Sequence, residues 1–375
     1  MKIAVNTRLL LPGKLEGIGW FTYETMKRIV KQHPEHEFHF IFDRTYDPDF
    51  IFADNVKAHV LSPPARHPFL FYLWFEWRLP SLLRKIKPDV FLSPDGYLSL
   101  SSSVKQLAVI HDINFEYYPS FLPLGARIYL KTFFPKFARK ATRIATVSEF
   151  SKNDISSQYN IDNSLIDVVY NGASSIYKPV EEDEKKKVKA DFTNGSDYFV
   201  YVGAIQPRKN ITNLMLAFEQ FKIESGSDQK LVLVGEKKWW SKRQEETFDS
   251  LTYKKDIIFT GRLEQDELNL ILGSAMALTY VSLFEGFGIP ILEAMNCDVP
   301  VLTSSLTSMP EVAGEAALLV NPFTAESIAD GMLELHQKPK LREQLVQKGR
   351  EQKAFFNWDK TADLMWQSIT KTAGQ

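Results

Sequence analysis

A single cysteine, Cys297, stands in 375 residues, so no disulfide can form within the chain and a bridge-stapled secreted scaffold is excluded. An excess of either charge is also missing. Forty-five Lys and Arg against 46 Asp and Glu leave a net charge of −1, which argues against a general nucleic-acid binder, since such domains are strongly basic. No apolar run reaches the ~20 residues that a membrane-spanning helix requires. The longest uncharged stretch is Leu270 to Phe284. The N-terminus enters directly on Lys2-Ile3-Ala4-Val5-Asn6, a strand pattern without the basic and apolar regions of a signal peptide. These absences predict a cytoplasmic protein. What is present, 44% hydrophobic and 24% charged residues, describes a soluble globule, and the length suits two domains.

Strand-like and helix-like segments alternate through two successive series. The first runs through Ile3 to Thr7, Phe38 to Phe42, Val90 to Ser93, Leu107 to His111 and Ile144 to Val147. The second restarts at Tyr198 to Gly203 and continues through Leu231 to Gly235, Ile257 to Thr260, Ala277 to Val281 and Val299 to Thr303. Alternating β and α units imply parallel sheets with right-handed crossovers, so the fold class is α/β with two facing doubly wound, Rossmann-like domains. The charged run from Pro179 to Lys189 reads as a solvated connector. The boundaries predicted are 1–178 and 179–357, with a final segment 358–375.

The most informative segment is Glu285-Gly286-Phe287-Gly288-Ile289-Pro290-Ile291-Leu292-Glu293. Its glycines permit a tight turn and Pro290 suits a first helical turn, which places Glu285 on a loop and Glu293 inside the following helix. Flanking strand patterns put that turn where a strand feeds a helix, the edge of an open sheet at which ligands bind. Amides at a helix N-terminus favour phosphate, and carboxylates accept sugar or ribose hydroxyls, so the segment suggests a sugar nucleotide. The plainer reading is a turn before a buried helix, with Glu293 as an ordinary first-turn acid.

A second segment, Tyr201 to Asn210, ends a strand and opens a helix, with Asn210 as its N-cap. Arg208 and Lys209 then sit just outside that helix, at the same sheet edge as Glu285. Cations there suit a diphosphate and would stabilise it as a leaving group; a solvated pair in a loop is the alternative. Gly17-Ile18-Gly19 precedes a helix predicted to begin near Phe21. It makes a poor dinucleotide fingerprint, lacking the third glycine and lying about ten residues past its strand. Loop flexibility near a substrate or an ordinary helix entry remain open for it. His111, with Asp112, ends a strand where a polar side chain would face the interdomain cleft; a structural histidine is the alternative.

These residues carry a resemblance. The chain resembles glycosyltransferase family four, the retaining nucleotide-sugar transferases of GT-B fold. The matching pieces are Gly17 to Gly19, His111-Asp112, Val147 to Ser151, Asn171-Gly172, Gly203 to Asn210, Thr260-Gly261-Arg262-Leu263, Glu285 to Met295 and Pro310 to Gly314. Val281 stands where the family often has proline, and Asp298 where it often has glycine. The resemblance implies that Arg208 and Lys209 hold the donor diphosphate and assist its departure. It implies that Glu285 contacts the transferred sugar, Glu293 binds ribose hydroxyls and His111 lies beside the reacting carbon. Gly17 and Gly19 would approach the diphosphate, and Gly203 and Arg262 belong to the donor-binding segments. Phe287, Gly288 and Ile289 would offer backbone amides. It further implies front-face attack with retention, no metal in catalysis, no prosthetic group, and a last helix, from about Trp358, crossing back onto the first domain.

The implied donor is a GDP- or UDP-linked sugar, with mannose from GDP-mannose as first choice. The implied acceptor is a glycan or lipid-linked saccharide in cell-surface polysaccharide or glycolipid synthesis, bound by the first half. Two stretches there, Phe69 to Leu79, dense in aromatics, and Phe121 to Lys152, basic with interleaved phenylalanines, suit either core helices or peripheral contact with the inner face of a membrane. A phosphorylase, a sugar-nucleotide epimerase, a nicotinamide-dependent oxidoreductase and a non-catalytic sugar-binding protein are the competing readings. His33, His36 and His39 are rejected as a metal cluster, because their spacing provides no common face.

Overall fold

The computed structural model describes residues 1–65, 67–237 and 240–374. The chain divides into two compact units, Met1–Asn171 with Trp358–Gln375, and Gly172–Asn357. The first holds seven strands: β1 (Lys2–Asn6), β2 (Glu37–Phe42), β3 (Val56–Val60), β4 (Val90–Ser93), β5 (Lys105–Val109), β6 (Arg143–Thr146) and β7 (Ile166–Val168). The second holds six: β8 (Tyr198–Val202), β9 (Lys230–Val234), β10 (Ile257–Gly261), β11 (Ala277–Tyr280), β12 (Val301–Ser304) and β13 (Ala317–Val320). Both sheets are parallel, in the orders β3-β2-β1-β4-β5-β6-β7 and β10-β9-β8-β11-β12-β13.

Strands covered on both faces should read as unbroken apolar runs, and the central ones do. Ile3 to Val5, Val90 to Leu92, Phe199 to Tyr201 and Ala277 to Leu278 are all inaccessible or nearly so. The sequence reading missed β3, β7 and β13, and each lies at a sheet edge. An edge strand is half covered, so Val56–Val60 mixes Lys57 and His59 with apolar residues and only Val56 is buried.

The charged run is not a connector. Glu182–Thr193 is a helix whose first turn carries Glu182, Asp183 and Glu184, acids that complement the helix dipole. Lys185 and Lys186 pair with Glu182 and Asp183 one turn back, at 2.7 and 3.0 Å. Val188 supplies its buried contact.

The last helix, Trp358–Ala373, packs against the helix Gly17–Gln32 of the first unit. Its buried positions Thr361, Ala362, Met365, Ser368, Ile369 and Thr372 recur at helical spacing. Arg28 Nε donates to Asp359 at 2.6 Å, and Thr361 Oγ1 to the Tyr170 carbonyl at 2.6 Å.

Strand order reverses between β1 and β4 in the first sheet, and between β8 and β11 in the second. Such switch points open a crevice beyond the carboxyl ends of the strands.

Candidate active site

The second switch point gathers charge. Pro207–Lys209 forms a short 3-10 turn after β8, and the loop after β11 brings Glu285 against it. Glu285 Oε2 lies 2.8 Å from Arg208 Nη1, and Oε1 2.6 Å from Lys209 Nζ. Lys209 Nζ also donates to the Tyr280 hydroxyl at 2.6 Å, and Arg208 Nη1 to the Phe284 carbonyl. Burial alone would raise the Glu285 carboxyl, but the charges of Arg208 and Lys209 outweigh it and hold the group at about 2. Glu285 therefore stands ionised between two cations in a recess where solvent screens poorly.

The glycine turn follows directly. Gly288 adopts φ 103°, the left-handed region, and caps the helix Ile289–Asn296 with Pro290 in its first turn. Ser308 Oγ lies 2.9 Å from the Glu285 carbonyl and 3.0 Å from that of Phe287, fixing the turn from below. Phe287 is buried edge-on against Phe356, 5.6 Å away. The amides of Gly288 and Ile289 have no partner among the described residues, and the helix carries no acid in its first turn. An anion suits that end. Glu293, inside the helix, bonds the hydroxyl of Tyr177, and burial pushes its carboxyl up to about 7.

Asn210 behaves differently from its predicted capping role. It takes a left-handed conformation, φ 63°, and its side chain caps nothing. Instead Nδ2 donates to the carbonyls of Val281, at 3.1 Å, and Pro322, at 2.6 Å, tying three loops together at the strand ends. Gly203, φ 141°, ends β8, and Gly235 ends β9 so close beside it that a methyl group there would lie 1.9 Å from the Gly203 carbonyl oxygen. Arg262 follows β10 and is exposed.

In the first unit, His111 stands just past β5. Its Nε2 donates to the Pro94 carbonyl at 2.9 Å, which leaves Nδ1 as the acceptor of the neutral ring. Burial lowers its pKa, so the neutral form prevails. Phe21 packs edge-on against the imidazole, 5.0 Å away. Gly17 and Gly19 are not a loop before Phe21: they form the first turn of its helix, which begins at Gly17. A methyl group at Gly19 would lie 3.0 Å from the Leu9 carbonyl oxygen, so that close approach, rather than flexibility, accounts for this glycine.

Sequence reasoning missed a buried pair at the first switch point. Arg8, past β1, donates through Nε to Asp95, past β4, at 2.6 Å, and lies within 4.7 to 5.6 Å of the rings of Phe71, Phe75 and Tyr97. Asp95 Oδ1 also accepts from Asn6 and Ser93, each at 2.9 Å. This anchors the turn whose Pro94 carbonyl orients His111. A polar residue just past each of two central strands was the available signal. Tyr177, Tyr280 and Ser308 were missed as well, since nothing local marks them as partners of the site.

The histidines also depart from expectation. The rings of His33 and His36 do share a face, stacked 6.1 Å apart with Glu35, whereas His39 bonds Glu37 and His59.

Comparison with known sequences decides the family. The profile described as Glycosyltransferase Family 4 matches residues 15–174, and that of Glycosyl transferases group 1 matches residues 182–352. The chain belongs to glycosyltransferase family four. It is 28% identical over 356 residues to the O-antigen chain mannosyltransferase B of Escherichia coli, covering 92% of this chain and 93% of that one. It is also 28% identical to the O-antigen chain mannosyltransferase RfbU of Salmonella typhimurium over 76% of each chain. Among solved structures it is similar to a sucrose-phosphate synthase of Thermosynechococcus elongatus, with TM-score 0.78 and 17% identity over 99% and 98% of the two chains. Anabaena HepE in complex with UDP and glucose gives TM-score 0.75 and 16% identity over 99% and 100%. The fold of this family-four member is that of the GT-B glycosyltransferases, and the protein is a glycosyltransferase that uses a nucleotide-sugar donor and a glycan acceptor.

Proposed function

We propose that the protein transfers mannose with retention from GDP-mannose to a glycan or lipid-linked saccharide in cell-surface polysaccharide synthesis. The observation that carries this reading is the Arg208–Glu285–Lys209 cluster at the second switch point. The two O-antigen mannosyltransferases among its relatives favour mannose as the sugar.

In this reading the diphosphate lies against the cationic pair and the amides of Phe287, Gly288 and Ile289, which take up the negative charge of the leaving group. Lys209 is held in place by Tyr280 and Glu285, so little reorganisation accompanies bond breaking. Glu285, ionised at all working pH values, accepts hydroxyls of the transferred sugar, and Glu293 accepts those of the ribose. Gly203 and Arg262 line the donor side. His111 and the helix turn at Gly17 and Gly19 belong to the first unit, which takes the acceptor. The cationic pair replaces a divalent ion, so transfer proceeds without metal.

Membrane contact is part of the proposal. Phe69, Trp77, Leu124 and Ile128 are exposed at 69%, 67%, 61% and 58%, and Arg78, Arg84, Lys131 and Lys136 are exposed on the same helical segments, 68–86 and 124–140. Exposed aromatics among cations suit an anionic leaflet, and this supports a peripheral position on the cytoplasmic face.

Incubation with GDP-, UDP-, ADP- and dTDP-hexoses in EDTA, with and without a lipid-linked saccharide, tests the reading. Acceptor-dependent release of GDP, with an α-linked mannoside as product, is expected. Turnover without acceptor would favour the epimerase, and turnover with NAD the oxidoreductase.

A further inference from the structure

The turn closing the helix Gly17–Gln32 carries a second feature, remote in sequence from every residue assigned above. His36 N donates to the His33 carbonyl at 3.2 Å, and this tight turn brings His33, Glu35 and His36 together. Glu35 Oε1 lies 3.7 Å from His33 Nδ1 and 3.3 Å from His36 Nε2. All three ligand atoms lie within 4.8 Å of one another. Two ligands each about 2.1 Å from a tetrahedral ion stand about 3.4 Å apart, so the two measured spacings already approximate edges of such a polyhedron.

The imidazoles are restrained. Trp366, on the helix Trp358–Ala373, stacks on His33 with ring centroids 3.7 Å apart and an interplanar angle of 15°, and lies 5.0 Å from the His36 ring. The Met1 amine, 3.0 Å from His36 Nδ1, leaves Nε2 facing Glu35. The geometry points to a binding site for one divalent ion of the zinc class, held by His33 Nδ1, Glu35 Oε1 and His36 Nε2, with water completing the shell. Two imidazoles and a carboxylate select such an ion over magnesium or calcium, which prefer all-oxygen shells.

The site joins the end of one helix to the face of another within the first unit, so the ion acts on stability and not on transfer. The test uses the full chain beginning at Met1, without a histidine tag, stripped with EDTA and titrated with ZnCl2 by calorimetry in two buffers of different ionisation enthalpy. One ion per chain is expected. Affinity should fall at least about tenfold in His33→Gln, Glu35→Gln and His36→Gln, since each removes a ligand. His59→Gln, in the separate histidine pair, should leave it unchanged. Co2+ should quench a part of the tryptophan emission that Trp366→Phe lacks. Absence of saturable uptake below about 100 μM would overturn the assignment. So would uptake that survives His36→Gln in a variant whose metal-free melting temperature matches the parent.

Discussion

Replacing Glu293 by glutamine should stabilise the ligand-free protein at alkaline pH while weakening its hold on nucleotide. Burial raises the Glu293 carboxyl to about 7, and the bond from Tyr177 offsets only part of that shift. In the unfolded chain the same carboxyl ionises near its ordinary value of 4.5. Between these values the folded state binds more protons than the unfolded one, so stability is lost as pH rises from about 4.5 to about 7. The rise from 4.5 to about 7, at about 1.36 kcal/mol per tenfold in proton affinity, sets a ceiling of about 3 kcal/mol. Glutamine keeps the shape and the Tyr177 contact but has no proton to lose. The variant should therefore melt about 6–10 °C above the parent at pH 8 and level with it at pH 4.5. Ribose hydroxyls that donate to a charged group contribute about 1.5–3 kcal/mol, so GDP affinity should drop about tenfold or more in the same variant. Melting curves across pH 4.5–8.5 and calorimetric titration with GDP measure both. Parallel pH curves for parent and variant would refute the raised carboxyl, and unchanged GDP affinity would remove Glu293 from the ribose site.

Gly235→Ala should destabilise the second unit severely, because the new methyl would meet the Gly203 carbonyl oxygen at 1.9 Å and the backbone is held at φ 150°. A melting temperature within a few degrees of the parent would show that the strand ends yield more easily than their geometry implies. Ser at both Phe69 and Trp77, each about two-thirds exposed, should leave melting and soluble-acceptor activity intact. Flotation with vesicles rich in phosphatidylglycerol should fall several-fold, and equal flotation by parent and variant would remove this surface from the membrane.

The central strands were legible because burial on both faces writes itself into sequence as runs such as Tyr198–Val202. Three of the four edge strands were not: Val56–Val60 is only half covered and carries Lys57 and His59 among its apolar residues, and Ala317–Val320, although apolar, is a run of only four residues with Val320 alone buried. The juxtaposition of Arg208, Lys209 and Glu285 followed from two strand-to-helix turns, since adjacent parallel strands deliver their following loops to one edge. Other contacts depend on tertiary structure that no local pattern encodes. Asn210 reads as a helix cap, yet its side chain reaches the Pro322 carbonyl 112 residues away. The Arg8–Asp95 pair spans 87 residues. Gly17-Ile18-Gly19 reads as a loop because glycine disfavours helix interiors, while the structure uses Gly19 for its lack of a side chain beside Leu9. His33 and His36 were expected in one turn but without a common face; that face depends on a turn conformation that Pro34 and Glu35 alone do not specify.

The central claim is that the cationic pair drives departure of the nucleoside diphosphate. Its most direct test is the transfer rate of Arg208→Ala and Lys209→Ala, each compared with its own melting temperature. Either single variant leaves Glu285 one cationic partner, so the carboxylate is not stranded and the fold should survive. Loss of about a hundredfold or more in kcat, with melting within a few degrees of the parent, is the expected result. Full activity in either folded variant would contradict the account.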